Sequence, residues 1–113
     1  MENTFQIHVR REDSATVIEV SGELDLASAP AVEQELEQAE SSGIELVILD
    51  LHELEFIDST GLGLLVKAHR WSEEAGRRFA VVRGSNQVQR LLELAGLEQR
   101  LTLIDSPEEL LGV

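Results

Sequence analysis

Cysteine and tyrosine are absent from this chain of 113 residues, and only three phenylalanines and one tryptophan supply aromatic rings. Without cysteine the protein can form neither disulfides nor thiolate-ligated metal sites, and thiol chemistry is excluded. Because 42% of the residues are nevertheless hydrophobic, the chain can bury a core. That core must be built mainly from leucine, isoleucine and valine.

Basic residues are also scarce: nine lysines and arginines stand against 22 aspartates and glutamates, which gives a formal net charge of −13. Such a surface repels nucleic acid phosphates and anionic lipids, so we expect neither nucleic acid nor membrane as a partner. Encounter with a basic partner is favoured instead. No apolar run reaches the length of a membrane span, and residues 1–4 lack the basic and apolar segments of a signal peptide. We therefore expect a cytoplasmic protein.

Hydrophobic periodicity predicts an alternation of strands and helices. Apolar and polar residues alternate over residues 5–9, which predicts a first strand. After a polar turn at residues 11–14, the residues 16–20 are rich in β-branched side chains and predict a second strand. Two strands joined by so short a turn form an antiparallel hairpin. The nearly unbroken apolar run at residues 44–51 is typical of a strand buried on both faces of a parallel sheet. The predicted order is β-β-α-β-α-β-α-β-α. We expect one α/β domain over residues 1–113, with a mostly parallel sheet and an N-terminal antiparallel hairpin.

Capping residues indicate where the helices begin and end. Ser28 is a candidate N-cap, and Pro30 suits the first turn of the helix that follows it. Asp58 or Ser59 stands where the N-cap of the second helix is expected, and Gly76 is placed to terminate that helix.

One polar turn lies between a buried strand and an apolar helix and contains two glycines. It reads Asp58-Ser59-Thr60-Gly61-Leu62-Gly63. The free N–H groups and the positive dipole end of a helix favour an anion at such a position. Each glycine costs about 1 kcal/mol relative to alanine in a helix, which indicates a close approach to the backbone. The simpler interpretation is that Ser59 only caps its helix. The position of the turn at the carboxyl end of a strand in an open sheet, where ligands tend to bind, favours a functional role instead.

Enzymatic and metal-binding interpretations have weaker support. A hydrolase nucleophile elbow needs glycine two residues before the serine, where Ile57 stands, and no obvious base is near in sequence. Asp25, Asp50 and Asp58 could meet at one sheet edge and bind a metal, but solvation of strand ends explains them as well. A phosphate loop with Gly-Lys-Ser/Thr is absent. We expect no catalytic residue, no metal and no cofactor.

Together with its surroundings, the turn resembles that of the STAS domain family, and specifically of the bacterial anti-sigma factor antagonists. Three blocks carry the resemblance, namely Gly22-Glu23-Leu24-Asp25 with Ala29-Pro30 downstream, Leu49-Asp50-Leu51, and residues 56–63. A later run over residues 82–97 also fits. The resemblance therefore spans nearly the whole chain in the order of the family.

The resemblance implies a phosphorylation-controlled binding protein rather than an enzyme. In such a cycle the unphosphorylated antagonist binds an anti-sigma factor that is itself a serine kinase, and a sigma factor is released. The kinase phosphorylates the serine that follows the aspartate, here Ser59 with Thr60 as the less favoured hydroxyl, and a PP2C-type phosphatase resets the switch. Asp25 matches an acidic position that orients the seryl hydroxyl or the partner. The partner-binding residues implied are Glu23, Asp25, Asp58, Ser59, Thr60, Gly61, Leu62 and Gly63.

Two other functions are compatible with this sequence. One is a STAS subunit of a transport or signalling complex that is not phosphorylated; a neighbouring ABC-type transporter gene would favour it, whereas genes for a GHKL-type kinase and a sigma factor would favour the antagonist. The other is an enzyme with Ser59 as nucleophile, which the missing base and elbow disfavour.

Overall fold

A computed structural model describes residues 5–111 of the chain. Six strands and four helices lie within these residues. The strands are β1 (Gln6–Glu12), β2 (Ala15–Leu24), β3 (Leu46–Asp50), β4 (Leu54–Ile57), β5 (Arg78–Val82) and β6 (Leu103–Ile104). The helices are α1 (Ala29–Ser41), α2 (Ser59–Ala75), α3 (Asn86–Leu94) and α4 (Glu108–Leu111).

The sheet has the strand order β1-β2-β3-β5-β6, and β4 pairs with β2 beside this path. β1 and β2 form the predicted antiparallel hairpin, with Gln6 opposite Ser21 and Glu12 opposite Ala15. All other pairings are parallel. The α/β class and the mainly parallel sheet are thus confirmed.

Strand β4 is an addition to the predicted element order. Strand β2 has ten residues and β3 has only five, so β2 extends beyond the end of β3. The last residues of β2 pair with β4 instead, with a register shift between Gly22 and Glu23. Leu54 and Ile57 of β4 are buried while the two residues between them are exposed, so the segment lacks the alternation by which a strand is recognised. The sequence therefore predicts only a continuation into a turn.

Helices pack on both faces of the sheet, but unequally. The main core contains buried residues of α1, α2 and α3 and the sheet residues Val47, Leu49 and Val81. Because side chains alternate along a strand, Ile48 belongs to a smaller cluster on the opposite face, against which Leu110 and Leu111 of α4 pack. The larger core fixes α1 and α2 side by side, with their N-termini at the carboxyl ends of β2 and β4.

Helix α2 is the longest helix, and both its ends are defined by the residues predicted to define them. Asp58 is its N-cap, and Gly76 closes it in the left-handed conformation with φ 70°. None of the helices within residues 5–111 has the length and hydropathy needed to cross a bilayer.

Candidate functional site

The polar turn predicted from the sequence is the N-terminus of α2. Asp58 is extended, with φ −107° and ψ −171°, and its Oδ1 accepts a hydrogen bond of 3.0 Å from the Gly61 N–H. The carbonyl of Asp58 accepts the first helical hydrogen bond, 2.9 Å long, from the Leu62 N–H. Of the two candidate caps, Asp58 performs the capping, and Ser59 becomes the first residue of the helix.

Ser59 is therefore free of the capping role that the simpler interpretation assigned to it. Its side chain is exposed, and within residues 5–111 its hydroxyl forms no hydrogen bond. The neighbouring Thr60 is half-buried as a residue, and it lines the groove between α1 and α2 described below. Ser59 is therefore exposed to solvent at the N-terminus of α2, which the Asp58 cap stabilises.

The loop between β2 and α1 lies directly beside this turn. The Asp58 N–H donates a 3.1 Å hydrogen bond to the Leu24 carbonyl, which joins the two segments at the ends of β2 and β4. In the same parallel pairing, Glu23 stands opposite Phe56. The acidic residues Glu23 and Asp25 consequently flank the segment that carries Ser59.

Asp25 and Ser28 shape this loop through hydrogen bonds to each other's backbone. The Ser28 hydroxyl donates to the Glu23 carbonyl at 2.7 Å and accepts from the Asp25 N–H at 2.9 Å. Asp25 Oδ1 accepts from the N–H groups of Ala27 and Ser28, both at 3.1 Å. Ser28 occupies the N-cap position of α1 as predicted, but its side chain makes no capping hydrogen bond. The Asp25 carboxylate is engaged within its own loop, so its contact with Ser59 or with a partner stays a prediction.

The two glycines of the turn have different surroundings. A Cβ added to Gly61 would lie 2.6 Å from Ile57 Cγ1 and 2.8 Å from the Leu24 carbonyl oxygen. The close approach predicted for this glycine is therefore an approach of the helix to its own sheet. A Cβ on Gly63 would meet nothing within 4 Å. The domain itself does not require glycine at position 63.

Gly63 faces a groove of about 310 Å³ between α1 and α2. The groove is lined by Ala29, Glu33, Thr60, Gly63, Leu64, Val66, Lys67 and Arg70. Lys67 Nζ lies 2.9 Å from Glu33 Oε2, a pair that bridges the two helices across the groove. The turn is thus continuous with a surface on which the α2 backbone is accessible at Gly63.

Asp25, Asp50 and Asp58, the three possible metal ligands in the sequence, do not form a cluster. Asp25 and Asp58 accept backbone hydrogen bonds in their own turns, and Asp50 Oδ1 accepts one of 2.9 Å from the His52 N–H. Within the described part of the chain no three acidic or histidine side chains are grouped so that they could hold a metal ion. Each aspartate is accounted for by the turn in which it lies.

Removal of the Asp58 cap is expected to destabilise the domain modestly. Asp58→Ala leaves the Gly61 N–H without its acceptor and should lower the free energy of unfolding by about 1 kcal/mol. Asp58→Asn keeps an acceptor oxygen, so we expect a smaller loss from this control. Urea unfolding followed by the fluorescence of Trp71, the single tryptophan, measures both. Equal losses in the two variants would contradict a capping role for the carboxylate oxygen.

Comparison with known proteins identifies the family of this site. The sequence model of the STAS domain matches residues 6–110, nearly all of the described chain. The chain belongs to the STAS domain family. A relative, the anti-sigma F factor antagonist of Paenibacillus polymyxa, is 28% identical over 103 residues, which cover 90% of this chain and 88% of that protein.

Solved structures of STAS domains share the fold. An anti-sigma factor antagonist from Mycobacterium paratuberculosis is 28% identical, with a TM-score of 0.83 over 94% of this chain and 90% of that one. SpoIIAA, an anti-sigma factor antagonist solved in an unphosphorylated form, is 24% identical, with a TM-score of 0.75 over 94% of this chain and 91% of its own. A phosphorylated form of the Bacillus SpoIIAA superposes with a TM-score of 0.70 over 94% of this chain and 95% of that one. The names of these relatives describe regulatory antagonists and not enzymes.

Proposed function

We propose that this STAS domain is an anti-sigma factor antagonist controlled by phosphorylation of Ser59. In the unphosphorylated state it binds an anti-sigma factor serine kinase and so releases a sigma factor. The kinase ends this binding by phosphorylating Ser59, and a PP2C-type phosphatase restores it. The observation that carries the proposal is the exposed, unbonded Ser59 hydroxyl at a helix start that Asp58 caps.

The placement of Ser59 suits a modification that must leave the fold intact. A phosphoserine adds about −1.5 to −2 charges. At the first position of α2 that charge meets the positive end of the helix dipole, which stabilises anions there. Because Ser59 is exposed, the phosphate displaces no side chain from the core. The domain should therefore carry the phosphate without unfolding.

The same placement makes the surface around Ser59 sensitive to added charge. Asp58 precedes the serine, and Glu23 and Asp25 lie on the adjoining loop. A partner that binds this surface must accommodate acidic side chains already, and the phosphate would raise the local negative charge further. Docking would desolvate this phosphate beside Asp58 and bring it close to the nucleotide phosphates of the kinase, and such like-charge contacts at an interface cost several kcal/mol. A local change of charge can thus end binding without a change of fold.

Transfer of phosphate from ATP tests the proposal directly. Each anti-sigma factor kinase of the source genome is incubated with the purified protein and ATP, and the product is analysed by intact-mass and peptide mass spectrometry. We expect one phosphate on Ser59 in the wild-type protein, none in Ser59→Ala, and one phosphate still on Ser59 in Thr60→Ala. Thr60→Ala is the matched control because Thr60, the next residue in the chain, carries the nearest alternative hydroxyl for phosphorylation.

Other outcomes separate the competing functions. A phosphate on Thr60 alone would keep the switch but move its centre by one residue. Absence of transfer by every kinase, with Ser59 unmodified in protein purified from resting and stressed native cells, would contradict the proposal. It would favour the STAS subunit that works without phosphorylation.

A further inference from the structure

Large hydrophobic side chains are exposed at only three positions within residues 5–111. Leu26 is 74% exposed, Leu94 is 72% exposed and Phe56 is 36% exposed. A single exposed hydrophobic residue is normal on a protein surface and needs no explanation. Two of these three, however, adjoin the turn that carries Ser59, whereas Leu94 ends α3.

Leu26 and Phe56 lie on either side of the hydrogen bond that joins the ends of β2 and β4. The Asp58 N–H donates to the Leu24 carbonyl, and each of the two hydrophobic residues lies two positions along the chain from one member of this hydrogen-bonded pair. Phe56 stands opposite Glu23 in the pairing, and both are exposed, whereas the next pair, Leu24 and Ile57, is buried. We call Leu26 and Phe56 the anchor pair.

Acidic residues adjoin each member of the anchor pair in the sequence, and no basic residue is close to either in the chain. Glu23, Asp25, Glu55 and Asp58 occupy the neighbouring positions of the two segments. No lysine or arginine occurs in the chain between Arg11 and Lys67. An apolar centre with an acidic rim is complementary to a partner surface that is apolar at its centre and basic around it.

We propose that the anchor pair is the apolar docking point of the anti-sigma factor kinase, which meets it with an apolar patch bordered by arginine or lysine. This inference rests on the proposed function and adds the source of affinity to it. Burial of Leu26 supplies free energy that does not depend on charge, and the acidic rim orients the kinase. Ser59 lies at the border of the buried area, where a phosphate would have to be desolvated beside Asp58 and close to the nucleotide phosphates of the kinase, which opposes docking. A second copy of this acidic chain is a poor occupant, because its own rim would be repelled.

Alanine substitution at the two equally exposed leucines tests the docking point. Leu26→Ala and Leu94→Ala are each titrated in the absence of ATP, so that phosphorylation cannot alter the measured affinity. Titration calorimetry against the purified kinase should show binding weakened about tenfold to a hundredfold by Leu26→Ala. Leu94→Ala should leave the dissociation constant within about twofold. Both leucines are largely exposed, so we expect both variants to fold as the parent does, which circular dichroism checks.

The outcomes separate this inference from the function on which it rests. If the kinase binds the parent protein and Leu26→Ala binds equally well, or if both variants lose affinity alike, the docking point is refuted and the antagonist function stands. A loss of self-association in sedimentation by Leu26→Ala, with kinase affinity unchanged, would make a second copy the occupant and overturn the inference. If no kinase binds or phosphorylates the wild-type protein, both proposals fall together.

Discussion

Substitution of Gly61 with alanine is expected to lower the free energy of unfolding by about 2–3 kcal/mol, which would place it among the costly overpacking changes. The new Cβ would lie 2.8 Å from the Leu24 carbonyl oxygen and 2.6 Å from Ile57 Cγ1. The carbonyl cannot turn aside, because it belongs to β2 and accepts the Asp58 N–H. The start of α2 would have to move away from the sheet. Alanine's higher helix propensity, worth about 1 kcal/mol, offsets only part of this cost.

Gly63→Ala is the matched control, since it is the same substitution two residues along the same helix. Nothing lies within 4 Å of the added Cβ, so only the helix propensity acts, and we expect a gain of about 0.5–1 kcal/mol. Urea denaturation of both variants, followed by Trp71 fluorescence, should give midpoints on opposite sides of the wild-type midpoint. Shifts of the same sign would show that the position of α2 against β2 is not as described.

Much of the frame around the site is encoded locally and could be predicted from the sequence. A cap such as Asp58 and a terminator such as Gly76 act on backbone groups within four residues, so their effect is visible in a short stretch of sequence. The long apolar run that becomes β3 is likewise recognisable without any knowledge of its neighbours. The α/β class followed from these local signals.

Features that depend on distant parts of the chain could not be predicted in the same way. Strand β4 exists because β2 extends past β3, and its own pattern is not that of a strand. The Ser28 hydroxyl binds the carbonyl of Glu23, which only the folded loop brings near it, instead of capping α1. In the sequence Leu26 looks like the leucines that form the core, and nothing in its neighbours indicates that it is 74% exposed. The motif located the turn, but the tertiary structure decides what surrounds it.

Ser59→Asp is expected to weaken binding to the anti-sigma factor kinase by about a hundredfold or more, which corresponds to at least about 2.7 kcal/mol. The variant places one negative charge beside Asp58 on a surface already acidic from Glu23 and Asp25. At the first position of α2 this charge is favoured by the helix dipole, so the stability of the free domain should be unchanged or slightly higher. Loss of binding with retained stability is therefore the expected result. Calorimetric titration of the kinase and thermal unfolding of the free variant measure the two quantities.

Ser59→Asn is the control that separates charge from shape, because asparagine has nearly the volume of aspartate but is neutral. If like-charge repulsion ends the binding, Ser59→Asn should bind the kinase within about tenfold of wild type while Ser59→Asp does not. A complete reversal of occupancy needs a differential affinity of about 10⁴, so the phosphoserine, with up to twice the charge of aspartate, should weaken binding more than the variant does. Equal losses in Ser59→Asp and Ser59→Asn would mean that the kinase requires the hydroxyl itself. In that case phosphorylation would end the binding because it removes hydrogen bonds between the Ser59 hydroxyl and the kinase, and not because it adds negative charge.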